Sequence, residues 1–263
     1  MKILVTGSKG FIGSHLIEEL SKFHEIVTFD IKDDKNEDVR NLDALIRKSK
    51  NCDAIVHLAA LCLDSESVEK PYDYYTTNLL GTLNVLETAR KLGIKTVINA
   101  SSAGVGDRTP YSISKFHTEK LCDSFNKSYG LNTIILRIFN VYGKRNTKGV
   151  IQEFMKRLRE NQPITVNNSG KQVRDYIHVK DVEKTIKNLL EDDYAFGTYE
   201  VGTGVGTSVN QLVKILTEIT GKKPLIKYKK LPYEEIMYSI SKKSIVRNPI
   251  KLEDGLKELL NSI

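Results

Sequence analysis

The chain has 263 residues and a formal net charge of +7, with 40% hydrophobic and 28% charged residues. These proportions are typical of a folded globular protein and exclude a disordered or collagen-like chain. No hydrophobic run approaches the ~20 residues of a membrane helix, and the amino-terminal MKILVTGSKG lacks the apolar core of a signal peptide. We therefore expect a cytoplasmic protein with no membrane partner.

The positions of the cysteines and lysines exclude further classes of protein. Cys52, Cys62 and Cys122 lack CxxC spacing, so we expect free, reduced thiols and no metal site. The positive charge is spread over segments such as RKSK and KKPLIKYKK, without zinc-finger spacing or the aromatic pattern of an RNA-binding domain. We expect no nucleic-acid partner, and a surface that attracts a phosphorylated small molecule.

Up to about residue 140, short β-branched runs alternate with segments of helical periodicity. This alternation predicts βαβ units and a parallel sheet covered by helices on both faces, a doubly wound α/β fold. The predicted strands are residues 2–6, 25–30, 53–58, 95–100 and 133–139, and the predicted helices are residues 11–23, 42–50, 76–93 and 112–130.

The pattern becomes irregular after Tyr142. It predicts helices at 149–162, 180–193 and 208–221, strands at 163–166 and 199–202, and a loop over 167–182 that leads into a helix. We expect two domains: a sheet domain of residues 1–140 plus about 176–205, and a small substrate-binding cap of about 141–175 plus 206–263.

Three glycines follow the first predicted strand and open the first predicted helix, Gly7, Gly10 and Gly13 in VTGSKGFIGSHL. The first permits a tight turn, the second lets the backbone approach a pyrophosphate, and the third allows close helix packing. The N–H groups of Phe11 and Ile12 then lie at a helix amino terminus, where anionic oxygens bind. The spacing is GxxGxxG rather than GxGxxG, and it predicts a phosphate-bearing ligand on a Rossmann-type sheet.

Two aspartates are candidates for the nucleoside end of that ligand. Asp30 ends the second predicted strand about twenty residues further on, where a carboxylate accepts from both ribose hydroxyls and repels a 2′-phosphate. NAD is therefore favoured over NADP, although Lys32 weakens this preference. Asp38 precedes the next helix and can accept from the adenine amino group. The alternative for both aspartates is a helix cap or a solvated turn.

A third segment, SSAGVGDRTPYSISK, covers residues 101–115. Thr109 suits the helix N-cap and Pro110 the first helical position, so Tyr111 and Lys115 share one helix face. By itself the segment is either a proton-transfer site with Ser102 or a loop followed by an ordinary helix.

Together these segments resemble a known family. The stretches TGSKGFIGSHL, DVRNLDAL, VHLAA, TNLLGTLNVLETARKLG, SSAGVG, YSISK, LRIFNVYG, VRDYIHVKDV and YEVGTGVGTSVNQLV occur in order between residue 1 and about 220. They resemble the extended short-chain dehydrogenase/reductase family, in its NAD-dependent epimerase/dehydratase branch, and most of all its UDP-glucose 4-epimerases. The resemblance implies a Rossmann-type NAD-binding domain, a substrate-binding cap and a nucleotide-diphosphate sugar as substrate.

In that family the chemistry belongs to residues that match Ser102, Tyr111 and Lys115. A free tyrosine titrates near ~10, so a base at neutral pH needs positive charge beside it. We expect the Lys115 ammonium and the nicotinamide to lower the pKa of Tyr111, Lys115 also to hold the nicotinamide ribose, and Ser102 to orient the reacting oxygen.

The resemblance also implies supporting and binding residues. Leu58, Ala59 and Ala60 match the segment beneath the cofactor, and Asn78 matches a helix residue that supports the site. Asn140 and Arg174 match contacts to the diphosphate, the alternative for Arg174 being an ion pair with Asp175. His57, His117 and His178 lack ligand spacing and are expected in packing or surface roles. A homodimer is implied, paired through residues 74–89 and 114–125.

The residues after Ser102 reduce the number of reaction types that the family resemblance implies. Dehydratases and decarboxylases of this branch place acids there, whereas this chain has Ala103 and Gly104. An epimerase that oxidises the sugar C4 transiently is therefore favoured. The alternatives are a dehydrogenase or reductase of a smaller alcohol, similar to the threonine dehydrogenases, and a protein that binds NAD without turnover.

The chain departs from the family pattern in three places. Only AGVGDRTP separates Ser102 from Tyr111, where relatives carry a longer loop, so we expect a more open pocket. Asn167 stands where epimerases have an aromatic residue near the uracil. The tail lacks the Arg-Pro-Gly-Asp segment, for which Lys229, Lys230 or Arg247 are possible substitutes.

Overall fold

A computed structural model describes residues 1–106, 108–192, 196–231 and 236–261. The chain divides into two compact units, Met1–Ile138 with Glu183–Tyr199, and Phe139–Val182 with Glu200–Ile263. The segment that returns to the first unit is shorter than the expected 176–205, because residues 176–182 and 200–205 belong to the second. The assignment of these units to NAD and to substrate stays a prediction.

The first unit contains a six-stranded sheet in the order β2-β1-β3-β4-β5-β9. The four pairings from β2 to β5 are parallel. This confirms the predicted α/β fold with a doubly wound sheet. The strands are β1 (Lys2–Thr6), β2 (Glu25–Phe29), β3 (Ala54–His57), β4 (Thr96–Ser102), β5 (Asn132–Ile138) and β9 (Gly197–Val201).

Helices connect these strands and cover the sheet. Leu4 of β1, Ile55 of β3 and Ile135 of β5 belong to one buried core. Leu86, from the helix over residues 81–92, packs in the same core. Buried strands of a parallel sheet are continuous apolar runs for this reason. The helices of this part of the chain are α1 (Phe11–Leu20), α2 (Leu42–Lys48), α3 (Asp64–Glu69), α4 (Pro71–Tyr74), α5 (Gly81–Leu92), α6 (Pro110–Tyr129) and α8 (Val179–Glu191).

Helix ends follow the predicted signals. Thr109 is the N-cap of α6, with Pro110 in the first helical position. Gly93 and Gly130 end α5 and α6 with φ values of +69° and +66°, a left-handed conformation that glycine adopts without strain. The predicted helix over 76–93 differs in its first part, because Tyr75–Leu80 is π-helical and α5 begins only at Gly81.

The direction of the chain through the sheet reverses between β1 and β3. β2 lies on one side of β1, and the chain then crosses to β3 on the other side. In doubly wound sheets this switch point opens a crevice at the carboxyl ends of the strands, where ligands bind. Gly7 follows β1 and Leu58 follows β3, so their loops begin at this edge.

The second unit has smaller sheets of mixed direction. β8 (Val173–His178) pairs in parallel with β6 (Asn140–Tyr142) and β12 (Tyr238–Ser239), and antiparallel with β10 (Gly206–Ser208). β7 (Ile164–Asn167) pairs in parallel with β11 (Ile226–Lys229). The helices of this unit are α7 (Val150–Arg159), α9 (Val209–Thr220) and α10 (Leu252–Asn261), which share a core with β6 and β7.

The predicted loop over 167–182 is wrong for Val173–His178, which is strand β8. Two consecutive charged residues, Arg174 and Asp175, interrupt the apolar pattern from which a strand would be predicted here. Asp175 is fully buried, and its carboxylate accepts from the N–H groups of Thr203, Gly204 and Ser241 at 2.8, 2.9 and 3.1 Å. These bonds offset the cost of burying a charge in a strand.

Within the described residues, no helix combines the length and the apolar composition that crossing a membrane requires.

We predict that Gly13→Ala destabilises the protein. A Cβ at this position would lie 2.2 Å from the carbonyl oxygen of Gly7, and backbone on that side leaves no room to adjust. The free energy of unfolding should fall by about 2–3 kcal/mol, as for overpacked interiors, measured by urea denaturation. Gly106→Ala is the control, because a Cβ there would have nothing within 4 Å among the described residues outside its chain neighbours. Equal midpoints for both variants would contradict this account.

Candidate active site

The turn after β1 is built from glycine. Gly7 has φ +68°, and a Cβ there would lie 2.7 Å from the backbone nitrogen of Ala59. Gly10 is the N-cap of α1 and carries no capping side chain, and the first N–H to bond within the helix is that of Ser14. The N–H groups of Phe11 and Ile12 therefore remain at the helix amino terminus, an arrangement that binds anionic oxygens.

Asp30 connects the end of β2 to this turn. Its side chain is buried, with Oδ2 accepting from the Lys9 N–H at 2.8 Å and Oδ1 accepting from the Lys32 N–H at 2.9 Å. Each carboxylate oxygen thus has one backbone donor and keeps capacity for a further one. Asp30 thus joins the glycine turn to the exposed turn over residues 31–33, and its carbonyl accepts from the backbone N–H groups of Asp33 and Asp34.

Asp38 forms an ion pair with Arg40. Arg40 donates from Nε to both carboxylate oxygens at 3.0 Å and from Nη2 to Oδ2 at 2.5 Å. This pairing holds the pKa of Asp38 below its usual value. The two residues line an open pocket with Asn41, Leu42 and Asp43. Any contact from Asp38 to an adenine must therefore be made beside the Arg40 guanidinium.

His57 ends β3 within a buried chain of hydrogen bonds. Its Nδ1 lies 2.7 Å from Thr6 Oγ1 and its Nε2 lies 3.1 Å from Thr82 Oγ1. Thr82 donates its only hydroxyl proton to the Asn78 carbonyl at 2.7 Å, so it must accept from Nε2–H of His57. Nδ1 is then the acceptor of the Thr6 proton, and the ring is a single neutral tautomer.

The protonation of His57 agrees with this chain. Burial lowers its pKa to about 3, with a further contribution from the positive charge of Lys115. Thr6 Oγ1 also accepts from the Ala59 N–H at 3.3 Å. His57 thus links the turn after β1, the segment Leu58 to Ala60 and the helix around Thr82.

Asn78 holds the segment after β3 in place. Its Oδ1 accepts from the Leu61 N–H at 2.9 Å, and its Nδ2 donates to the Leu61 carbonyl at 3.0 Å and to Ser114 Oγ at 3.0 Å. Ser114 in turn donates to the Tyr111 carbonyl at 2.7 Å. The π-helical turn that carries Asn78 is typical of functional positions in helices.

Ser102 and Tyr111 come from the end of β4 and the start of α6. The hydroxyl of Ser102 accepts from the Gly104 N–H at 3.1 Å, and its own proton is directed to the Tyr111 oxygen. Burial raises the pKa of Tyr111, and hydrogen bonding with Ser102 opposes this rise without reversing it. The pKa of Tyr111 is thus raised in the protein chain alone, and the expected lowering by Lys115 together with the nicotinamide stays a prediction.

Lys115 is buried one helical turn after Tyr111. Its Nζ donates to the Ala100 carbonyl at 2.7 Å, which directs the ammonium toward β4 rather than into solvent. Burial lowers its pKa to about 8, against opposing contributions from Cys62, Cys122 and Glu119. At pH 7 the group is still mostly charged, and two of its three N–H donors are available for a ligand.

A further turn along α6, Glu119 continues this row. Its buried carboxylate accepts from Ser101 Oγ at 2.6 Å and from Arg137 Nε and Nη2 at 3.0 and 2.7 Å. Such bidentate pairing fixes the geometry of the two side chains. The residue was not among the sequence candidates, although its spacing of four from Lys115 places it on the same helix face.

Asn140 and Arg174 lie in the second unit. Asn140 donates from Nδ2 to the Asp175 carbonyl at 3.2 Å. Arg174 donates from Nη1 to the carbonyls of Val173 and Ile236 at 2.9 and 2.7 Å. The alternative of an ion pair between Arg174 and Asp175 is wrong, because the carboxylate is occupied by donors of Thr203, Gly204 and Ser241.

In the described part of the chain, no three His, Cys, Asp or Glu side chains are grouped as a metal site requires.

Residues 3–202 match the model of the "NAD dependent epimerase/dehydratase family". A protein of Methanocaldococcus jannaschii named putative UDP-glucose 4-epimerase is 32% identical over 299 aligned positions, covering 98% of this chain and 97% of that one. Since the alignment is longer than this chain of 263 residues, it includes segments that this chain lacks.

Two solved structures are similar over nearly their whole length. UDP-glucose 4-epimerase from Thermotoga maritima with UDP-glucose has a TM-score of 0.90 at 30% identity, covering 99% of this chain and 98% of that one. UDP-N-acetylglucosamine 4-epimerase from Methanobrevibacter ruminantium M1, in complex with UDP-N-acetylmuramic acid, has a TM-score of 0.90 at 27% identity, covering 99% and 97%.

The residues around the glycine turn fit NAD, the cofactor of the matched family. Gly7 and Gly13 pack backbone against backbone, which keeps side chains out of the turn that leads to the amino terminus of α1. Ser8 in the same turn is fully buried, and its hydroxyl has no hydrogen-bond partner among the described residues. A pyrophosphate oxygen there would satisfy it.

We predict that His57→Gln flattens the pH dependence of stability. The unfolded chain protonates histidine below ~6.5 whereas folded His57 stays neutral down to about 3, so acid favours unfolding across this window. From pH 7 to pH 5 the wild type should lose about 2 kcal/mol through this group, measured by urea unfolding at both values.

The His57→Gln variant should be less stable at pH 7 and should lack this loss. His117→Gln, which changes an exposed histidine of α6, should keep it. The same loss in all three proteins would contradict the assignment.

Proposed function

Because the chain belongs to the NAD-dependent epimerase/dehydratase family, we propose that it is a nucleotide-sugar epimerase of the UDP-glucose 4-epimerase type. The reaction is transient oxidation at the sugar C4 and reduction on the opposite face. The observation that carries this proposal is the grouping of Ser102, Tyr111 and Lys115 where β4 ends and α6 begins, at the same edge of the sheet as the glycine turn.

NAD supplies the hydride acceptor and donor when it is bound. The N–H groups of Phe11 and Ile12 hold its pyrophosphate, and Gly10 lets the backbone approach it. Asp30 accepts from the adenosine ribose hydroxyls through the capacity left on Oδ1 and Oδ2. Asp38 accepts from the adenine amino group.

The supporting residues act on the other half of the site. Leu58, Ala59 and Ala60 form the surface beneath the dinucleotide, fixed by the bond from the Ala59 N–H to Thr6. Asn78 fixes the residue that follows them. Lys115 donates to the nicotinamide ribose with the N–H groups that Ala100 does not use.

Tyr111 moves the substrate proton. It would take the proton from the C4 hydroxyl when that carbon is oxidised and return the proton to the same oxygen when the carbon is reduced, with bound NAD as the hydride acceptor and donor. Ser102 donates to the same oxygen and orients it. Since burial raises the pKa of Tyr111 in the chain alone, the lowering that a base needs must come from the positive charge of the oxidised cofactor.

Asn140 and Arg174 are proposed to bind the diphosphate of the sugar nucleotide. Arg174 uses only Nη1 on backbone carbonyls, which leaves the donors on Nε and Nη2 for a bidentate contact with phosphate. The identities of the nucleotide and of the sugar are left to experiment, with UDP-glucose as the first substrate to test.

A second function is favoured by one observation. Only eight residues separate Ser102 from Tyr111, and alignment with relatives requires segments that this chain lacks. A shorter segment between Ser102 and Tyr111 is consistent with a more open sugar site, and also with a smaller alcohol as substrate. Net NADH formation from a small alcohol is the property that separates this dehydrogenase from an epimerase.

We also propose that the protein is a homodimer. Leu80 of the π-helical turn, Leu83 of α5 and Phe116 of α6 are exposed apolar side chains. These helices are the segments that the family resemblance implies for pairing, and an isologous contact between two copies would cover all three on each chain.

Tyr111→Phe should abolish turnover and spare cofactor binding. The wild type, incubated with UDP-glucose and no added NAD, should form UDP-galactose, followed by chromatography. The variant should lose at least about 100-fold in kcat, as for removal of a general acid–base, while native mass spectrometry shows the same bound NAD.

Tyr129→Phe is the matched control, because this tyrosine lies on the same helix and is exposed. Epimer formation by Tyr111→Phe at the wild-type rate would overturn the proposed role. NADH release from small alcohols without epimer formation would establish the second function instead.

Leu83→Arg should convert the dimer into a monomer, because a charge then enters an apolar contact without a partner. Light scattering after size exclusion at micromolar concentration measures the mass. Leu225→Arg changes an exposed leucine of the second unit and should leave the dimer intact. A monomeric wild type would refute the proposal.

A further inference from the structure

Helix α3 has no part in the function proposed so far, yet it contacts the start of α6. Asp64, its first residue, accepts on Oδ1 from Thr109 Oγ1 at 2.6 Å. Thr109 is the N-cap of α6 and accepts on the same oxygen from the Ser112 N–H at 3.2 Å. The carboxylate therefore fixes the hydroxyl that caps the helix carrying Tyr111.

A second link runs from α3 to the ring of Tyr111. The fully buried Tyr74 accepts on its hydroxyl from the Leu63 N–H at 2.9 Å and donates to Glu66 at 3.2 Å. Burial raises the pKa of Tyr74 to about 12, so it remains a donor. Its ring meets the Tyr111 ring edge to face, with centroids 6.2 Å apart and planes at 81°.

Tyr111 needs such support because of its place in the helix. It is the second residue of α6, in the first turn, where backbone N–H groups have no partner inside the helix and ends fray. The position of the phenol therefore depends on the cap and on what holds the cap.

We propose that Asp64 is a positioning residue for Tyr111, acting through its hydrogen bond to Thr109. This inference rests on the proposed role of Tyr111 in proton transfer. The segment from Leu63 to Glu66 thus contacts Tyr111 by two routes, through the Thr109 cap and through the ring of Tyr74.

Asp64 also acts on Tyr111 by its charge. The titratable groups around the phenol are Cys62 before α3, Asp64, Tyr74 of α4 and Lys115 of α6. The negative charge of Asp64 raises the pKa of Tyr111. The carboxylate thus aids catalysis by geometry and opposes it by charge, and a substitution can separate the two effects.

Asp64→Ala and Asp64→Asn make this separation. Alanine removes both acceptor and charge, so kcat for sugar interconversion should fall about tenfold, with KM and bound NAD within about twofold. Asparagine keeps an acceptor oxygen, so kcat should stay near wild type. Removing the charge should move the pH of half-maximal rate down by about half a unit.

Glu69→Gln is the control, because it removes one exposed negative charge from the same short helix. It should change neither kcat nor the pH profile. Wild-type kcat in Asp64→Ala, or an unshifted profile in Asp64→Asn, would overturn the proposal.

An activity-independent measurement separates this inference from the proposed function. In protein labelled with ¹³Cζ-tyrosine, the signal absent from Tyr111→Phe should shift and broaden in Asp64→Ala at pH 8, and stay in place in Glu69→Gln. An unchanged signal overturns the role of Asp64. A wild type that converts no sugar nucleotide contradicts the proposed function, while this spectrum still tests the position of Tyr111.

Discussion

The close approach of the turns after β1 and β3 is the constraint on which the rest of the first unit depends. Gly7 has positive φ and leaves no space for a side chain against Ala59, and Gly13 packs on the carbonyl of Gly7. This contact brings the amino terminus of α1 to the switch point of the sheet. It also aligns Thr6 with His57, from which the hydrogen-bonded chain to Asn78 begins. The turn proposed to bind NAD and the hydrogen bonds that reach Asn78 therefore both depend on this contact between the two turns.

Burial favours the neutral form of each of the titratable groups His57, Lys115 and Tyr111. It therefore lowers the pKa of the basic groups and raises the pKa of the tyrosine. It keeps His57 neutral, lowers the pKa of Lys115 to about 8 and raises that of Tyr111. Glu119 counters the effect on Lys115 and is itself neutralised by Arg137. The protein chain alone therefore holds Tyr111 as a phenol, and in the proposed mechanism its conversion to a base depends on bound NAD. A site arranged in this way limits proton transfer in the absence of cofactor.

Local signals in the sequence predicted the parts of the site that are local in the chain. The glycine turn, the Thr109 cap and the spacing of Tyr111 and Lys115 each lie within one turn or helix, where residue type and spacing determine geometry. The missed features join distant positions: Asp64 meets Thr109 across 45 residues, and Arg137 meets Glu119 across 18. Strand β8 was missed because Asp175 is buried only by virtue of donors from two later segments. The direction of the Tyr111 pKa required burial, which spacing alone does not give.

The π-helical turn at Tyr75–Leu80 determines what the loss of one residue would change. It contains one residue more than a regular helix would need, and that surplus turns Asn78 toward Leu61 and Ser114 while Leu80 is exposed. A regular helix advances by about 100° per residue, so deleting the surplus residue would restore that advance and leave the residues on either side of the turn on their present faces. The change would fall on the turn itself, where Asn78 would lose the orientation that brings it to Leu61 and Ser114. A loss of one residue here would therefore act on the support of the segment after β3 and spare the packing of α5.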